Sequence, residues 1–106
     1  MPTQGRLGAF DLAATTETLL YTCPASTKAF VSVNMCARSG TPTVRLALAD
    51  NGVPAAEDWL EYDFSLSAGS IPLVREGIIL KATDRLYGYA SATGVSVVVY
   101  GQEETV

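Results

Sequence analysis

Histidine is absent from the 106 residues of this chain, and charged residues make up only 17% of it, against the usual quarter. Most acid–base catalysis at neutral pH, and much metal binding, depends on the imidazole group. The chain also has no Gly-x-Ser-x-Gly motif, which would place a serine nucleophile on a sharp turn. These absences predict that the protein is not an enzyme and has no catalytic residues, no metal site and no cofactor.

Clusters of positive charge are also missing. Seven Lys and Arg against eleven Asp and Glu give a net charge of −4, and no two basic residues are adjacent. A groove that follows nucleic-acid phosphates needs such clusters, so nucleic acid is not expected as a partner. The longest strongly apolar segments, such as 95–100, are too short to cross a bilayer, and residues 1–12 lack the basic and apolar regions of a signal peptide. We expect no membrane contact.

One group of acids is dense enough to consider as a site, and it consists of Glu57, Asp58, Glu61 and Asp63. Such carboxylates could bind calcium or act as the pair in glycoside hydrolysis. Their spacing does not match an EF-hand loop, and only Trp59 nearby is typical of a sugar cleft. A solvated loop and strand edge is therefore the favoured interpretation.

The two cysteines, Cys23 and Cys36, are expected to be buried free thiols, because a free cysteine behaves as a small hydrophobic residue. If 28–36 is one strand, Cys36 lies about 25 Å from the turn beside Cys23. A disulfide needs the two Cα atoms within about 7 Å of each other. The pair can therefore bond only if the chain crosses over between two sheets.

Short segments in which apolar and polar residues alternate, separated by turns with Gly or Pro, fill most of the chain. Segment 29–36 places Val31, Val33 and Met35 on one face, which is the period of a β-strand. Turns recur about every eight to twelve residues, as in sandwiches and jelly rolls. The pattern predicts one all-β domain over 1–106, an antiparallel β-sandwich of about eight strands with jelly-roll or immunoglobulin-like topology.

Two segments in the second half carry more specific expectations. Residues 54–60 are the one place where a short helical turn is expected, because Pro54 suits a first turn. Residues 60–66 alternate like a half-exposed strand, so the large apolar side chains should face inward, namely Leu60, Tyr62, Phe64 and Leu66. Gly77 is expected to divide 71–81 into two strands.

The two ends of the chain are expected to be less ordered than the middle. Residues 1–6 form a candidate docking arm, which is either disordered or adds a strand to a neighbouring molecule. Residues 102–106 form a short acidic tail that is expected to be loose.

Arginine is the residue type that most suggests an interface. Four of the five arginines lie in or beside predicted strands, and their planar guanidinium groups suit ion pairs with acids of a neighbouring copy. Alternatively, these arginines are ordinary outward-facing residues of the strands. Arg45 is an example, because Val44, Leu46 and Leu48 of the same segment are expected to face inward. The candidate interface residues are Arg6, Leu7, Arg38, Arg45, Arg75 and Arg85.

The lone tryptophan, Trp59, and the nearby Tyr62 are candidates for stacking on a carbohydrate. A tryptophan held between a short helix and a sheet is more often part of the core, so both interpretations stay open. An exposed Trp59 would favour glycan binding, and a buried one would favour a structural role.

Seven short stretches, by their order and spacing, resemble a family of small β-sandwich virion structural proteins of tailed bacteriophages. They are GRLG at 5–8, LYTCPA at 20–25, VSVNMCAR at 31–38, VRLALA at 44–49, YD at 62–63, GIIL at 77–80 and GVSV at 94–97. The sequence departs from the family pattern at 81–84, where a glycine would precede the acid. We therefore expect this turn to be shaped differently.

The resemblance implies an assembly protein without catalytic activity that docks as identical copies on the phage particle. A capsid decoration or cement protein is the leading expectation, and a neck, collar or tail-fibre component is the alternative. A carbohydrate-binding module for host attachment is an alternative of another class. The implied location is the virion, after assembly in the host cytoplasm.

Two kinds of partner follow from this interpretation. The resemblance implies contact with other virion proteins, such as the major capsid or tail proteins. A β domain with little charge also gains by self-association, because oligomerisation covers strand edges and apolar patches. A homo-oligomer is expected, with a trimer favoured.

Overall fold

The computed structural model describes residues 4–69 and 71–106, which form eight β-strands and one 3-10 turn. The strands are β1 (Gln4–Asp11), β2 (Thr18–Thr22), β3 (Thr27–Ala37), β4 (Thr43–Asp50), β5 (Trp59–Ser65), β6 (Leu73–Leu80), β7 (Asp84–Ala90) and β8 (Val95–Thr105). The 3-10 turn, Ala56–Asp58, lies within the segment where a short helical turn was predicted. In the described part of the chain, no helix is both long and apolar enough to span a membrane.

The strands form two four-stranded antiparallel sheets. The first sheet has the order β1-β8-β3-β6, and the second has the order β2-β7-β4-β5. Partners are nested along the chain, with β1 beside β8, β2 beside β7, β3 beside β6 and β4 beside β5. The chain is thus one long hairpin that the β3–β8 and β4–β7 pairings roll into two layers. This is the jelly-roll arrangement, so the predicted all-β sandwich of about eight strands is confirmed.

The hydrophobic core fills the space between the two sheets. The first sheet contributes mainly the inward residues of its two central strands, which are Ala29, Val31, Val33 and Met35 of β3 and Val95, Val97 and Val99 of β8. The second sheet contributes Val44 and Leu46, which are fully buried as predicted, while Leu48 is half-buried against the same core. Each fully buried valine, leucine or methionine side chain contributes about 1.5–3 kcal/mol to the free energy of unfolding, relative to an exposed one.

Both ends of the described part of the chain lie in or directly beside a strand. Gln4–Arg6 is paired with β8, whereas residues 1–3 of the predicted docking arm lie outside the described residues. The expectation of a loose tail over 102–106 is wrong, because β8 continues to Thr105 opposite Thr27. The last backbone N–H, of Val106, donates a hydrogen bond to the Ser26 carbonyl oxygen at 3.0 Å. The acidic end is therefore part of the ladder in the first sheet.

Irregular pairing overturns two of the sequence-based expectations. Gly77 does not divide two strands, because β6 continues through it with a shift in register, and its φ of 73° marks a bulge. The inward set expected for 60–66 is also wrong, since Leu60, Tyr62 and Phe64 are all exposed, although Leu66 is buried. The register of β5 shifts twice along β4, and the alternation of its side chains changes with each shift.

The two cysteines lie in different environments, and both are free. Cys23 is buried, and its thiol points to the Thr27 and Leu80 carbonyl oxygens at 3.4 and 3.8 Å. The expectation that Cys36 is buried is wrong, because it alternates with the inward residues of β3 and faces outward.

The turn at 81–84 has the backbone shape that a glycine would favour. Thr83 has a φ of 72°, in the left-handed region that β-branched residues rarely adopt. The Asp84 carboxylate accepts hydrogen bonds from the Lys81 backbone N–H at 3.1 Å and from its ammonium group at 2.8 Å. Lys81 also binds Asp50 at 2.8 Å, which lowers the pKa of Asp50. The lysine thus separates two acids that lie opposite each other on β4 and β7.

Replacing Gly101 by alanine is predicted to destabilise the fold strongly. Gly101 lies opposite Val31, and a Cβ atom there would be 2.0 Å from the Phe30 carbonyl oxygen. The central ladder would have to shift, which costs about 3 kcal/mol in the free energy of unfolding. Gly5, its partner on β1, has φ +102° but no atom within 4 Å of its Cβ position.

Gly5→Ala is therefore the matched control, with an expected cost of about 1 kcal/mol from backbone strain alone. Urea unfolding of both variants measures the difference. Equal midpoints for Gly101→Ala and Gly5→Ala would contradict the close approach of β8 to β3.

Candidate functional site

The outer face of the second sheet carries a group of stacked side chains, here called the aromatic–arginine cluster. It consists of Arg45, Trp59, Tyr62 and Tyr89. Strand alternation explains its position, because β4 buries Val44 and Leu46 in the core and turns Arg45 outward. Arg45 and Tyr89 are then direct neighbours across β4 and β7.

Arg45 is the centre of this cluster. Its guanidinium carbon lies 4.1 Å from the Tyr62 ring centre, 4.4 Å from that of Tyr89 and 6.0 Å from that of Trp59. The Nε atom of Arg45 donates a hydrogen bond to Asp63 at 2.6 Å, which raises the pKa of the arginine. A guanidinium group held between two aromatic faces and bound to a carboxylate has its plane and orientation fixed.

The bulged pairing of β5 brings the remaining members into place. Between the Val44–Phe64 and Leu46–Glu61 pairs, β4 has only Arg45, whereas β5 has both Tyr62 and Asp63. One arginine therefore meets an aromatic ring and a carboxylate from adjacent residues. Asp63 has a φ of 55°, as expected where an extra residue is accommodated.

Trp59 lies outside the main core. It packs on the outer face of the second sheet against a small cluster of Ala47, Ala49 and Tyr87. Its ring meets that of Tyr62 edge to face, with centres 5.3 Å apart and planes at 75°. Trp59 and Tyr62 line a shallow hollow of about 350 Å³ with Ala56 of the 3-10 turn. The tryptophan is half-buried, so its indole is partly accessible to a ligand.

The arginines of the candidate interface occupy separate places, and three of them pair within the chain. Arg38 binds Asp11 at 2.5 Å, Arg45 binds Asp63, and Arg75 binds Glu61 through its Nε atom at 2.6 Å. The last pair joins the edge strands β6 and β5 of the two sheets. These three arginines are therefore already engaged with acids of their own chain.

Of the other three candidates, Leu7 is apolar, and the two arginines have no acidic partner among the residues that the structure describes. Arg6 is exposed on β1, opposite Tyr100 of β8. Leu7 is half-buried and packs against the main core. Arg85 lies on the outer face of the second sheet beside Thr22 and Ala49, and its Nε atom is buried without a hydrogen-bond partner.

The acids at 57–63 have separate roles. Asp58 accepts a hydrogen bond from the Ala55 backbone N–H at 2.7 Å, while Glu61 and Asp63 pair with arginines. Within residues 4–69 and 71–106 there is no group of three or more side chains arranged to hold a metal ion.

A second hollow, of about 480 Å³, lies where the two sheets open between β5 and β6. Its walls include Phe64, Leu66, Leu73 and Arg75. The Arg75 guanidinium group there is bound to Glu61. The described lining offers apolar side chains and serine hydroxyls, with no further charged group.

The sequence identified Trp59 and Tyr62 as candidate glycan-binding residues, and it identified Arg45 as a candidate interface residue in a different hypothesis. It missed Tyr89 and Tyr87, although 85–90 alternates Arg85, Tyr87 and Tyr89 with residues that are buried. This two-residue period is a signal for an outward aromatic row. The pairing of Asp63 with Arg45 had no comparable signal, because it depends on a bulge.

Comparison with protein families, with curated proteins and with solved structures finds no match to this chain. The resemblance to phage virion proteins therefore stays a prediction from the sequence.

Removing the Tyr62 ring is predicted to expose Trp59. Trp59 is the one tryptophan of the chain, so its fluorescence reports on the cluster alone. Since Tyr62 contacts the indole edge to face, Tyr62→Ala should increase the quenching of Trp59 by iodide. The control is Tyr100→Ala, because Tyr100 lies on the first sheet and should leave quenching unchanged. The described cluster is wrong if Tyr62→Ala has no effect or if both variants have the same effect.

Proposed function

We propose that this protein is a structural protein of a tailed-bacteriophage virion, which docks as identical copies on the particle as a capsid decoration or cement protein. The sequence resemblance supports this proposal, and so does the jelly-roll sandwich. The observation that carries it is the outer face of the first sheet, where Phe30, Val74, Ile79, Val98 and Tyr100 lie on a surface without charge at its centre. Such a face suits contact with protein.

The chemistry of the reactive groups supports a role in assembly rather than catalysis. Burial raises the pKa of the Cys23 thiol, so little thiolate is present at neutral pH. The pKa of Tyr21 is raised above its ordinary value, mainly by burial and further by the hydrogen bond that its hydroxyl donates to Glu103. Both groups connect elements of the fold, and neither is activated for attack on a substrate.

Many copies on one particle would make weak contacts sufficient. A decoration protein gains affinity because each copy is held by several neighbours, and the effective concentration on the lattice is high. The proposed partners are the major capsid protein and further copies of this chain. A neck, collar or tail-fibre position would use the same kind of contact.

Antibody–gold labelling of intact virions by electron microscopy tests the proposal. We expect gold particles over the head surface, in many copies per particle. Labelling confined to the neck or tail would instead support the alternative position. Virions without any label, from a lysate in which the chain is expressed, would contradict a virion role.

A carbohydrate-binding function is the second candidate, because Trp59 lies on the outer face and not in the main core. Partly exposed aromatic rings beside an arginine and an acid can stack on a sugar and bind its hydroxyl groups. On a glycan array, the full chain should bind a defined set of glycans. Trp59→Ala should abolish this binding, and Tyr100→Ala should not. The absence of binding to any glycan would remove this candidate.

A further inference from the structure

The outer face of the first sheet, here called the first-sheet face, has a mixed apolar and uncharged surface. Alternation along the strands places on it the side chains of Phe30, Asn34, Val74, Ile79, Val98 and Tyr100. Ile79 is 61% exposed and Tyr100 is 36% exposed. A surface of this kind, with apolar residues in contact with water, is typical of an interaction site.

Ion pairs within the chain lie at both ends of the first-sheet face. Lys28 pairs with Glu104 at 4.0 Å at one end, and Arg38 pairs with Asp11 at 2.5 Å at the other. Between them, the outward residues of the two central strands carry no charge, as the sequence of β3 and β8 shows. The charged side chains of this face that have no ion pair in the described chain therefore lie at its two sides, on the edge strands β1 and β6.

Arg6 and Glu76 are these side charges, and they lie at the same level of the sheet. Arg6 of β1 is opposite Tyr100, which is opposite Ser32 of β3. Glu76 of β6 falls at the level of Ser32, because Arg75 is opposite Val33 and Ile78 is opposite Val31. Both are exposed, and neither has an ion pair within residues 4–69 and 71–106. One row across the face thus begins with a positive charge and ends with a negative one.

This row makes the face complementary to itself. A twofold axis parallel to the strands, placed between β8 and β3, exchanges the two sides of the sheet. It brings Arg6 of each copy over Glu76 of the other and turns the uncharged centres towards each other. We propose that two copies of this chain pack together through their first-sheet faces in this way. The proposal deepens the self-association in the proposed function by naming its surface, symmetry and charged contacts.

The strand edges are poor alternatives for this contact. Each of the four edge strands has an irregular register beside its neighbour, at Leu7 in β1, Leu20 in β2, Tyr62–Asp63 in β5 and Gly77 in β6. Bulges twist an edge and hinder the addition of a strand from another chain. Face-to-face packing with twofold symmetry gives a pair, whereas the sequence alone favoured a trimer.

The size of the face determines the concentration at which the pair should form. Four strands about 4.8 Å apart and seven residues of β8 at about 3.4 Å each give a surface of roughly 400 Å² per copy. Contacts of this size belong to the weak, transient class. We therefore expect dissociation constants in the micromolar range or above, which a lattice of copies would strengthen.

Sedimentation equilibrium of the full chain, from micromolar to millimolar concentration, tests the proposal. The wild type should pass from monomer to dimer, whereas Val98→Lys, at the centre of the face, should stay monomeric with an unchanged melting temperature. The control is Leu19→Lys, because Leu19 is exposed on the outer face of the second sheet, and it should dimerise like the wild type.

Charge exchange at the two sides of the face provides a second readout, which leaves its uncharged centre unchanged. Arg6→Glu and Glu76→Arg should each weaken the dimer about tenfold, because two ion pairs become repulsive. The double variant should restore it. A wild type that stays monomeric to millimolar concentration, a trimer mass, or a double variant no better than the single ones would overturn the proposal. If gold labels the phage heads but the wild type stays monomeric in solution, only the proposed dimer is contradicted, and the proposed virion role is not.

Discussion

The pairing of β3 with β8 is the constraint on which the rest of the molecule depends. These strands, each 11 residues long, form the centre of the first sheet and supply most of its inward side chains. Their ladder runs from Thr27–Thr105 to Ala37–Val95. Since β8 is the last strand and β3 the third, their contact closes the long hairpin into a roll. The inner face of the second sheet packs against the side chains that β3 and β8 turn inward.

The outer surfaces of the two sheets differ in their chemistry. The second sheet holds a charged and aromatic cluster in which Arg45, Asp63 and the rings satisfy one another. The first sheet holds an uncharged centre whose lateral charges, Arg6 and Glu76, have no partner in the described chain. A surface with satisfied groups suits a rigid ligand site, whereas one with complementary unsatisfied charges suits a second protein surface. The carbohydrate-binding candidate and the proposed dimer therefore concern different faces of the sandwich.

The regular central strands could be predicted from the sequence, and the edges could not. In β3 and β4 an unbroken two-residue period identified Val31, Val33, Val44 and Leu46 as inward residues, because both strands are buried between neighbours. In β5 the same reasoning failed, since a register shift moves all later side chains to the other face. The shifts in β5 depend on tertiary packing, and the segment has no glycine that would signal a bulge, as Gly77 does in β6.

The candidate site shows the same division. Trp59 and Tyr62 were recognisable as residue types, but their meeting with Arg45 depends on the bulge at Asp63. The chain also satisfies a local requirement in an unexpected way at Thr83, which takes the left-handed conformation without a glycine. Two hydrogen bonds hold this turn: the Asp84 carboxylate accepts the Lys81 backbone N–H, and the Cys23 carbonyl oxygen accepts the Thr83 N–H at 2.9 Å.

Hydroxyl-radical footprinting of the protein at low and at high concentration tests most directly the claim that the first-sheet face is where copies meet. We expect Phe30 and Tyr100 to become protected as the concentration rises, and Trp59 and Tyr62 to keep their reactivity. Protection of Trp59 and Tyr62 with unchanged reactivity of Tyr100 would contradict it, because copies would then meet through the second sheet.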